Sequence, residues 1–309
     1  MRETFTRCLE QEAHRNPNLV LITGDLGFGV LFPFMKAFPD RFLNAGISEQ
    51  AMMSMAAGMA LEGKTVVVYS IGNFPTLRCL EQIRNCCAYH EVNVKIVCVG
   101  AGFVYGTLGM THHATEDMSA LRLLPADAAQ TEAVMARFLT EPGVAYLRIG
   151  RGGEPVLTDP KLLTDLRTGQ AIEHLAGSDA YLLTAGGILP SAFAAAELLK
   201  AKGLSIGVAS FPTVKPIDEA YLKALCARVP VLFTLEEHTI VGGFGGAVCE
   251  TVCGFAENRA RVVRLGLHDM YSSVVGNQAY LLEHYGLDGN GVAEQVLAAL
   301  EGQDACRNR

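Results

Sequence analysis

Two short stretches carry side chains whose types and placement suit chemistry. The first is Asn44-Ala45-Gly46-Ile47-Ser48-Glu49-Gln50, which runs into Ala51-Met52-Met53-Ser54-Met55-Ala56-Ala57-Gly58-Met59-Ala60-Leu61-Glu62-Gly63. It sets one carboxylate, Glu49, in the first turn of a helix with almost no polar face. A helix that is apolar all round is expected to be buried, and an acid at its mouth is costly to bury without a partner. Ser48 is a good N-cap, and Gly63 can close the far end. Read alone, Glu49 is equally an acid that complements the helix dipole. The second stretch runs from Gly100 to His113, is rich in glycine and ends in two adjacent histidines. It follows an apolar run. In open α/β sheets, ligands bind at the carboxyl ends of strands, where such a loop falls. A histidine pair without a third ligand at suitable spacing does not read as a metal site, so none is expected in this chain.

The elements that must position these residues alternate between strand and helix. Apolar runs at 20–23, 65–69, 94–99 and 145–149 read as buried parallel strands, with helices at 3–14, 49–61, 74–89 and 131–139. A second series has strands at 180–184, 205–210, 229–235 and 262–265, and helices at 189–201, 218–227, 244–255 and 292–300. This order implies an α/β fold of two domains, each a mostly parallel sheet covered by helices. The stretch from Gly152-Gly153-Glu154-Pro155 to about Gly169 is polar and weakly periodic, and reads as the boundary.

The totals exclude several classes. Half of the 309 residues are hydrophobic, enough for a large core, and the net charge of −7 argues against a nucleic-acid partner. No apolar run is long enough to span a bilayer. Met1 to Leu19 mixes charged and apolar residues, unlike a signal peptide. The nine cysteines are scattered and show no paired zinc spacing, as expected of reduced thiols in a cytoplasmic protein. Positive mean hydropathy without a membrane segment suggests apolar surface covered by another subunit.

Four segments in order, Asn44–Gln50, Ser70–Arg84, Gly106–Asp117 and Tyr146-Leu147-Arg148-Ile149-Gly150-Arg151, resemble the pyrimidine-binding domain of transketolase-type, thiamine-diphosphate-dependent enzymes. Pro212-Thr213-Val214-Lys215-Pro216-Ile217-Asp218, Glu236-Glu237-His238 and Gly242-Gly243-Phe244-Gly245 are similar to the family's C-terminal domain. The resemblance covers almost the whole chain. It implies a pyrimidine-binding domain over 1–152, a linker over 153–171 and a transketolase C-terminal domain over 172–309. The Gly-Asp-Gly and paired-asparagine signature of the family's diphosphate domain does not occur; Gly24-Asp25-Leu26-Gly27 matches the start of the pyrimidine domain instead. The resemblance therefore implies one half of a split enzyme. A separate N-terminal subunit would hold the diphosphate through Mg2+ or Ca2+, in an α2β2 assembly with self-association of this chain.

The resemblance also assigns roles. Glu49 matches the cofactor-activating glutamate, which sits against N1′ of the aminopyrimidine and promotes loss of the proton from thiazolium C2. Phe74 matches the aromatic that stacks on the pyrimidine, and Leu26 the apolar contact that holds the cofactor bent. Ile71 stands where a second aromatic often lies. His112 matches the histidine that faces the reacting carbon. His113 stands where glutamine is usual. Arg151 matches the arginine that grips a sugar phosphate, and Arg2 is a further candidate for that pocket.

Two departures bear on substrate. Leu108 replaces an Asp that reads substrate hydroxyls, and Gly100 replaces a phosphate-side histidine. Both point away from ordinary pentose phosphates, toward an unusual sugar, a nucleotide-linked sugar or a 2-oxo acid donor. The link Leu123-Leu124-Pro125-Ala126-Asp127 is short for the family. The expected reaction moves a two-carbon ketol or acyl unit from a ketose or 2-oxo acid to an aldehyde or ketone through a thiamine C2-carbanion adduct. The rival readings are the β subunit of a 2-oxo-acid dehydrogenase and a non-catalytic scaffolding subunit that keeps the fold.

Overall fold

The computed structural model of the chain describes residues 1–100, 102–116, 123–257, 260–268, 270 and 272–301. Asp117, the end of one family segment, and the tail beyond 301 lie outside the described residues. The first sheet has the order β2-β1-β3-β4-β5 and every pairing in it is parallel. Its strands are β1 (Leu19–Thr23), β2 (Phe42–Asn44), β3 (Thr65–Ile71), β4 (Val94–Val99) and β5 (Ala145–Ile149). Alternate residues face opposite sides, as the two-residue strand period requires. Leu19, Leu21, Val67 and Val97 meet α1 (Arg2–Arg15) and α5 (Ala128–Thr140), with α2 (Phe32–Ala37) at the edge. Val20, Ile22, Val66 and Val68 meet α3 (Glu49–Leu61) and the segment carrying Cys79, Ile83 and Cys87.

The sequence reads as one helix over 74–89, but that segment is divided. It forms a 3-10 turn (Leu77–Cys79), a single turn α4 (Leu80–Gln82) and a π-helical stretch (Ile83–Ala88). Pro75 disfavours the helical region for the residue before it, so Phe74 lies in a turn, its N–H donating to Ile71 O at 2.9 Å.

Helix α3 departs from expectation in two ways. Ser48 does stand at its N-cap, but its hydroxyl donates to Ala45 O at 2.6 Å and caps no helical N–H. The helix is also not buried all round. Met52, Met53, Ala56, Ala57 and Ala60 face the core, while Ala51, Ser54, Met55 and Gly58 are exposed. Its far end closes as expected. Gly63, at φ +84°, lets its own N–H reach Ala60 O and that of Lys64 reach Met59 O, at 3.0 and 3.1 Å.

The second sheet has the order β10-β9-β7-β8-β6. Strands β7 (Ala180–Thr184), β8 (Ile206–Ser210), β9 (Val231–Thr239) and β10 (Arg261–Leu267) are parallel, and β6 (Ile172–Leu175) adds an antiparallel edge. Helices α6 (Leu189–Lys200) and α10 (Gly289–Leu300) cover one face, with α9 (Gln278–His284) beside them; α7 (Glu219–Arg228) and α8 (Phe244–Cys253) cover the other. Leu123 bridges to Leu147 in β5 and to Thr213, and Leu124 N–H donates to Pro212 O at 2.8 Å. Leu123 thus ties the short link to the edge strand β5 on one side and to the segment that follows β8 on the other. No helix among the described residues is long and apolar enough to cross a membrane.

Candidate functional site

Asn44, at the carboxyl end of β2, sets the mouth of α3. Its side-chain oxygen accepts the N–H groups of Asp25 and Gly46 at 3.0 and 2.9 Å, and its amide donates to Asp25 Oδ1 at 2.9 Å. Asp25 is held at φ 56°, a conformation that asparagine and aspartate tolerate better than most residues. These bonds bring the end of β1 against α3, so that a Cβ placed on Gly24 would lie 3.6 Å from Glu49 Cγ. Glu49 is the first residue of the helix and is only 3% exposed.

A residue with no assigned role meets that carboxylate. Arg78 Nη1 donates to Glu49 Oε2 at 2.7 Å. The same guanidinium carbon lies 4.6 Å from the centroid of the Phe74 ring. The Phe74 ring in turn meets His112 edge-on at 5.1 Å. Glu49, Phe74 and His112, far apart in sequence, therefore form one continuous cluster with Arg78 inside it. Gln50 Nε2 donates to Arg78 O at 3.0 Å and fixes the arginine's backbone. Cys79, behind this pair, is a poor nucleophile: burial, with Glu49 nearby, pushes its thiol up to about 12.

Gly72 lets the Phe74 turn and the histidine loop approach. A Cβ there would meet Ala114 Cβ at 2.9 Å, and φ is +38°. Asn73 Nδ2 donates to His113 O across the same gap. The loop is held from behind by the second domain. Glu237, on β9, accepts the Phe103 N–H at 2.6 Å, and a Cβ on Gly102 would strike its carboxylate carbon at 2.4 Å. Gln278 Nε2 donates to both oxygens of the same carboxylate, at 3.0 and 2.9 Å. Gly106 packs on α9, where a Cβ would strike Leu281 Cδ1 at 2.4 Å. His112 is half-buried. Burial, with His113 beside it, holds its ring below the usual imidazole range. His113 is 2% exposed, packs edge-on against Phe103 and turns Nε2 toward Gly106 O at 3.4 Å.

The arginines gather around tyrosines. The Arg151 guanidinium lies 5.5 Å from the Tyr105 ring centroid. Tyr105 fills the space beside Gly100, where a Cβ would stand only 2.0 Å from the ring. A side chain at 100 and this tyrosine therefore exclude each other. Arg2 and Tyr105 both lie close enough to act electrostatically on Tyr69, whose hydroxyl burial pushes up. Arg2 Nε is buried without a hydrogen-bond partner. Leu26 and Ile71 pack with Tyr105 against the core of the first sheet. Leu108, in a 3-10 turn, is exposed. Arg78 and Tyr105 were not anticipated, and Glu237 stood out only within the family-like Glu236-Glu237-His238, with no place in the site. The first two look like surface arginine and loop aromatic in the sequence, and only their contacts set them apart.

A flat group rich in N–H already rests on the Phe74 face and against the Glu49 carboxylate. An aminopyrimidine offers the same two features, so these residues fit that half of thiamine diphosphate. Among the described residues, no group of three or more His, Cys, Asp or Glu side chains could hold a metal ion.

Two family descriptions match in order: the transketolase pyrimidine-binding domain over residues 1–153 and the transketolase C-terminal domain over 169–292. A putative transketolase C-terminal section from Methanocaldococcus jannaschii is 33% identical, over 97% of this chain and 96% of its own. One subunit of an apulose-4-phosphate transketolase from Phocaeicola vulgatus is also 33% identical, with 96% of each chain covered. A solved split-gene transketolase, described as an inactive β4 tetramer, superposes with a TM-score of 0.87 at 32% identity, over 97% of this chain and 98% of that one. The chain belongs to the transketolase family, and it spans that family's pyrimidine-binding and C-terminal domains.

Proposed function

We propose that this chain is the pyrimidine-binding subunit of a two-chain, thiamine-diphosphate-dependent transketolase. The reaction moves a two-carbon ketol unit from a phosphorylated ketose to an aldehyde acceptor. One observation carries the reading: a carboxylate buried at a helix mouth, an aromatic face and a neutral-leaning histidine in one cluster. Bound thiamine diphosphate supplies a nucleophilic thiazolium carbon. Glu49 would hold the pyrimidine ring through a shared proton, a contact that a closed, dry site strengthens. Phe74 supports the ring face. Leu26 would be the apolar contact that supports the cofactor, and Ile71 would pack on the ring without stacking. His112 is placed to stabilise charge on the donor oxygen or move a proton there.

Arg151 and Arg2 bind the substrate phosphate, and Leu108, exposed on the histidine loop, contributes to substrate selection. The buried, unpartnered Arg2 Nε supports an anion there, because an orphan donor is costly until it finds an acceptor. The relative in Phocaeicola vulgatus is named for a sugar phosphate, apulose 4-phosphate, and an unusual ketose phosphate is the substrate class proposed here. The diphosphate and its Mg2+ or Ca2+ belong to a separate N-terminal subunit, in a cytoplasmic α2β2 complex. The exposed Ala51–Gly58 face of α3 and the exposed Ile47 supply apolar surface for such assembly.

The test is calorimetry with thiamine diphosphate and Mg2+. The isolated chain is expected to bind weakly, and its complex with a diphosphate-domain subunit tightly. Tight binding by the isolated chain would refute the two-chain reading.

A further inference from the structure

We infer that Arg78 is an internal stand-in for the aminopyrimidine, occupying both of its contacts until the cofactor displaces it. The inference rests on the function proposed above. The guanidinium is flat, lies over the Phe74 face with its carbon 4.6 Å from the ring centroid, and donates to Glu49 Oε2 at 2.7 Å. A planar N–H donor over an aromatic ring and bonded to a carboxylate is the pattern an aminopyrimidine presents when its ring nitrogen carries the shared proton. Both contacts cannot be made by Arg78 and by a bound ring at once.

The exposures give the arrangement its logic. Glu49 is 3% exposed, and the Arg78 side chain 45%. A buried carboxylate left without a partner is strongly destabilising, so the empty chain needs a counter-charge there. A half-exposed guanidinium can provide it and still return to water at small cost. Only the side chain has to move. Gln50 holds the Arg78 carbonyl at 3.0 Å, and the Arg78 N–H donates to Asn73 O at 3.3 Å. The ion pair thus steadies the unloaded subunit and competes with the cofactor. A ligand that replaces only one of the two contacts leaves the other pulling Arg78 back.

Arg78→Ala and Glu49→Gln, alone and together, test this in two measurements. The first is the melting temperature of the isolated chain. Arg78→Ala is expected to lower it, and Glu49→Gln in the same chain to restore most of the loss. The second is calorimetric titration of thiamine diphosphate with Mg2+ into the assembled two-subunit enzyme. Arg78→Ala is expected to tighten binding at least fivefold, because the competitor is gone. Weaker binding would make Arg78 a direct cofactor ligand and overturn the inference, as would unchanged affinity, whatever the melting temperature does. If the wild-type assembly itself binds no thiamine diphosphate, the proposed function fails, and the melting-temperature cycle still reports on the ion pair.

Discussion

The Glu237 carboxylate accepts the Phe103 backbone N–H at 2.6 Å, so the C-terminal domain anchors the loop that carries His112 in the pyrimidine-binding domain. Glu237→Leu would leave that N–H buried and unpaired, at a cost of about 1–3 kcal/mol. The enzyme is expected to lose turnover as well as stability, because the loop no longer holds His112 against Phe74. Urea unfolding and kcat of the assembled enzyme check both. A Gly102→Ala change should act alike, since a Cβ at φ +59° strikes the same carboxylate.

Lys95, on β4, is fully buried and donates to the carbonyls of Glu141 and Gly143 at 2.5 and 2.7 Å, beyond the end of α5. Burial pushes its ammonium down to about 8. Between there and the ordinary lysine value the unfolded chain holds a proton that the folded chain lacks. Stability contributed by this group therefore rises with pH across that window, by up to about 3 kcal/mol. Chemical denaturation from pH 7 to 10.5 should show wild type gaining stability relative to Lys95→Met as the pH rises.

His112 is held below the usual imidazole range by its partial burial and by His113. Its neutral form is therefore favoured. The acid limb of kcat/KM is expected below about pH 6.5, the ordinary histidine value. His112→Asn should lower kcat by about 10²-fold or more and remove that limb. A pH profile of both enzymes reads the result.

Gly58 lies on the exposed face of α3 with nothing within 4 Å of an added Cβ. Gly58→Leu should fold at least as well as wild type, since leucine favours a helix over glycine by about 0.8 kcal/mol. If that face packs against another subunit, the added side chain blocks close approach. Light scattering should then show a smaller assembly.

Much of this fold was legible because its strands are buried on both faces. The runs at 94–99, 145–149 and 180–184 are found as β4, β5 and β7. Strand β9 was expected to end at 235 but continues to Thr239, through Glu236, Glu237 and His238. Polar residues break an apolar pattern, yet here each is buried and engaged. Glu236 accepts the N–H groups of Phe244 and Gly245 at the start of α8, at 2.6 and 2.9 Å, and burial raises its carboxyl to about 7. Gly243 and Gly245 leave room for it; a Cβ on either would come within 3 Å of the carboxylate. Helices α2 and α9 make at most two turns, and β2 and β6 are only three and four residues long, so they leave little periodic signal. In the candidate site, the family pattern singled out Glu49, Phe74 and His112, which the fold brings into one cluster. Arg78 was not singled out, since nothing in a sequence says which arginine will fold back over a ring.

Activation of the cofactor by Glu49 is the heart of the proposed mechanism, and one comparison tests it most directly. Glu49→Gln keeps size and hydrogen-bonding capacity but removes the shared proton. Turnover of a ketose phosphate by the assembled enzyme, saturated with thiamine diphosphate and Mg2+, should fall by about 10²-fold or more. Calorimetry on the same samples must show the cofactor still bound. Wild-type turnover by a cofactor-loaded Glu49→Gln enzyme would contradict the account.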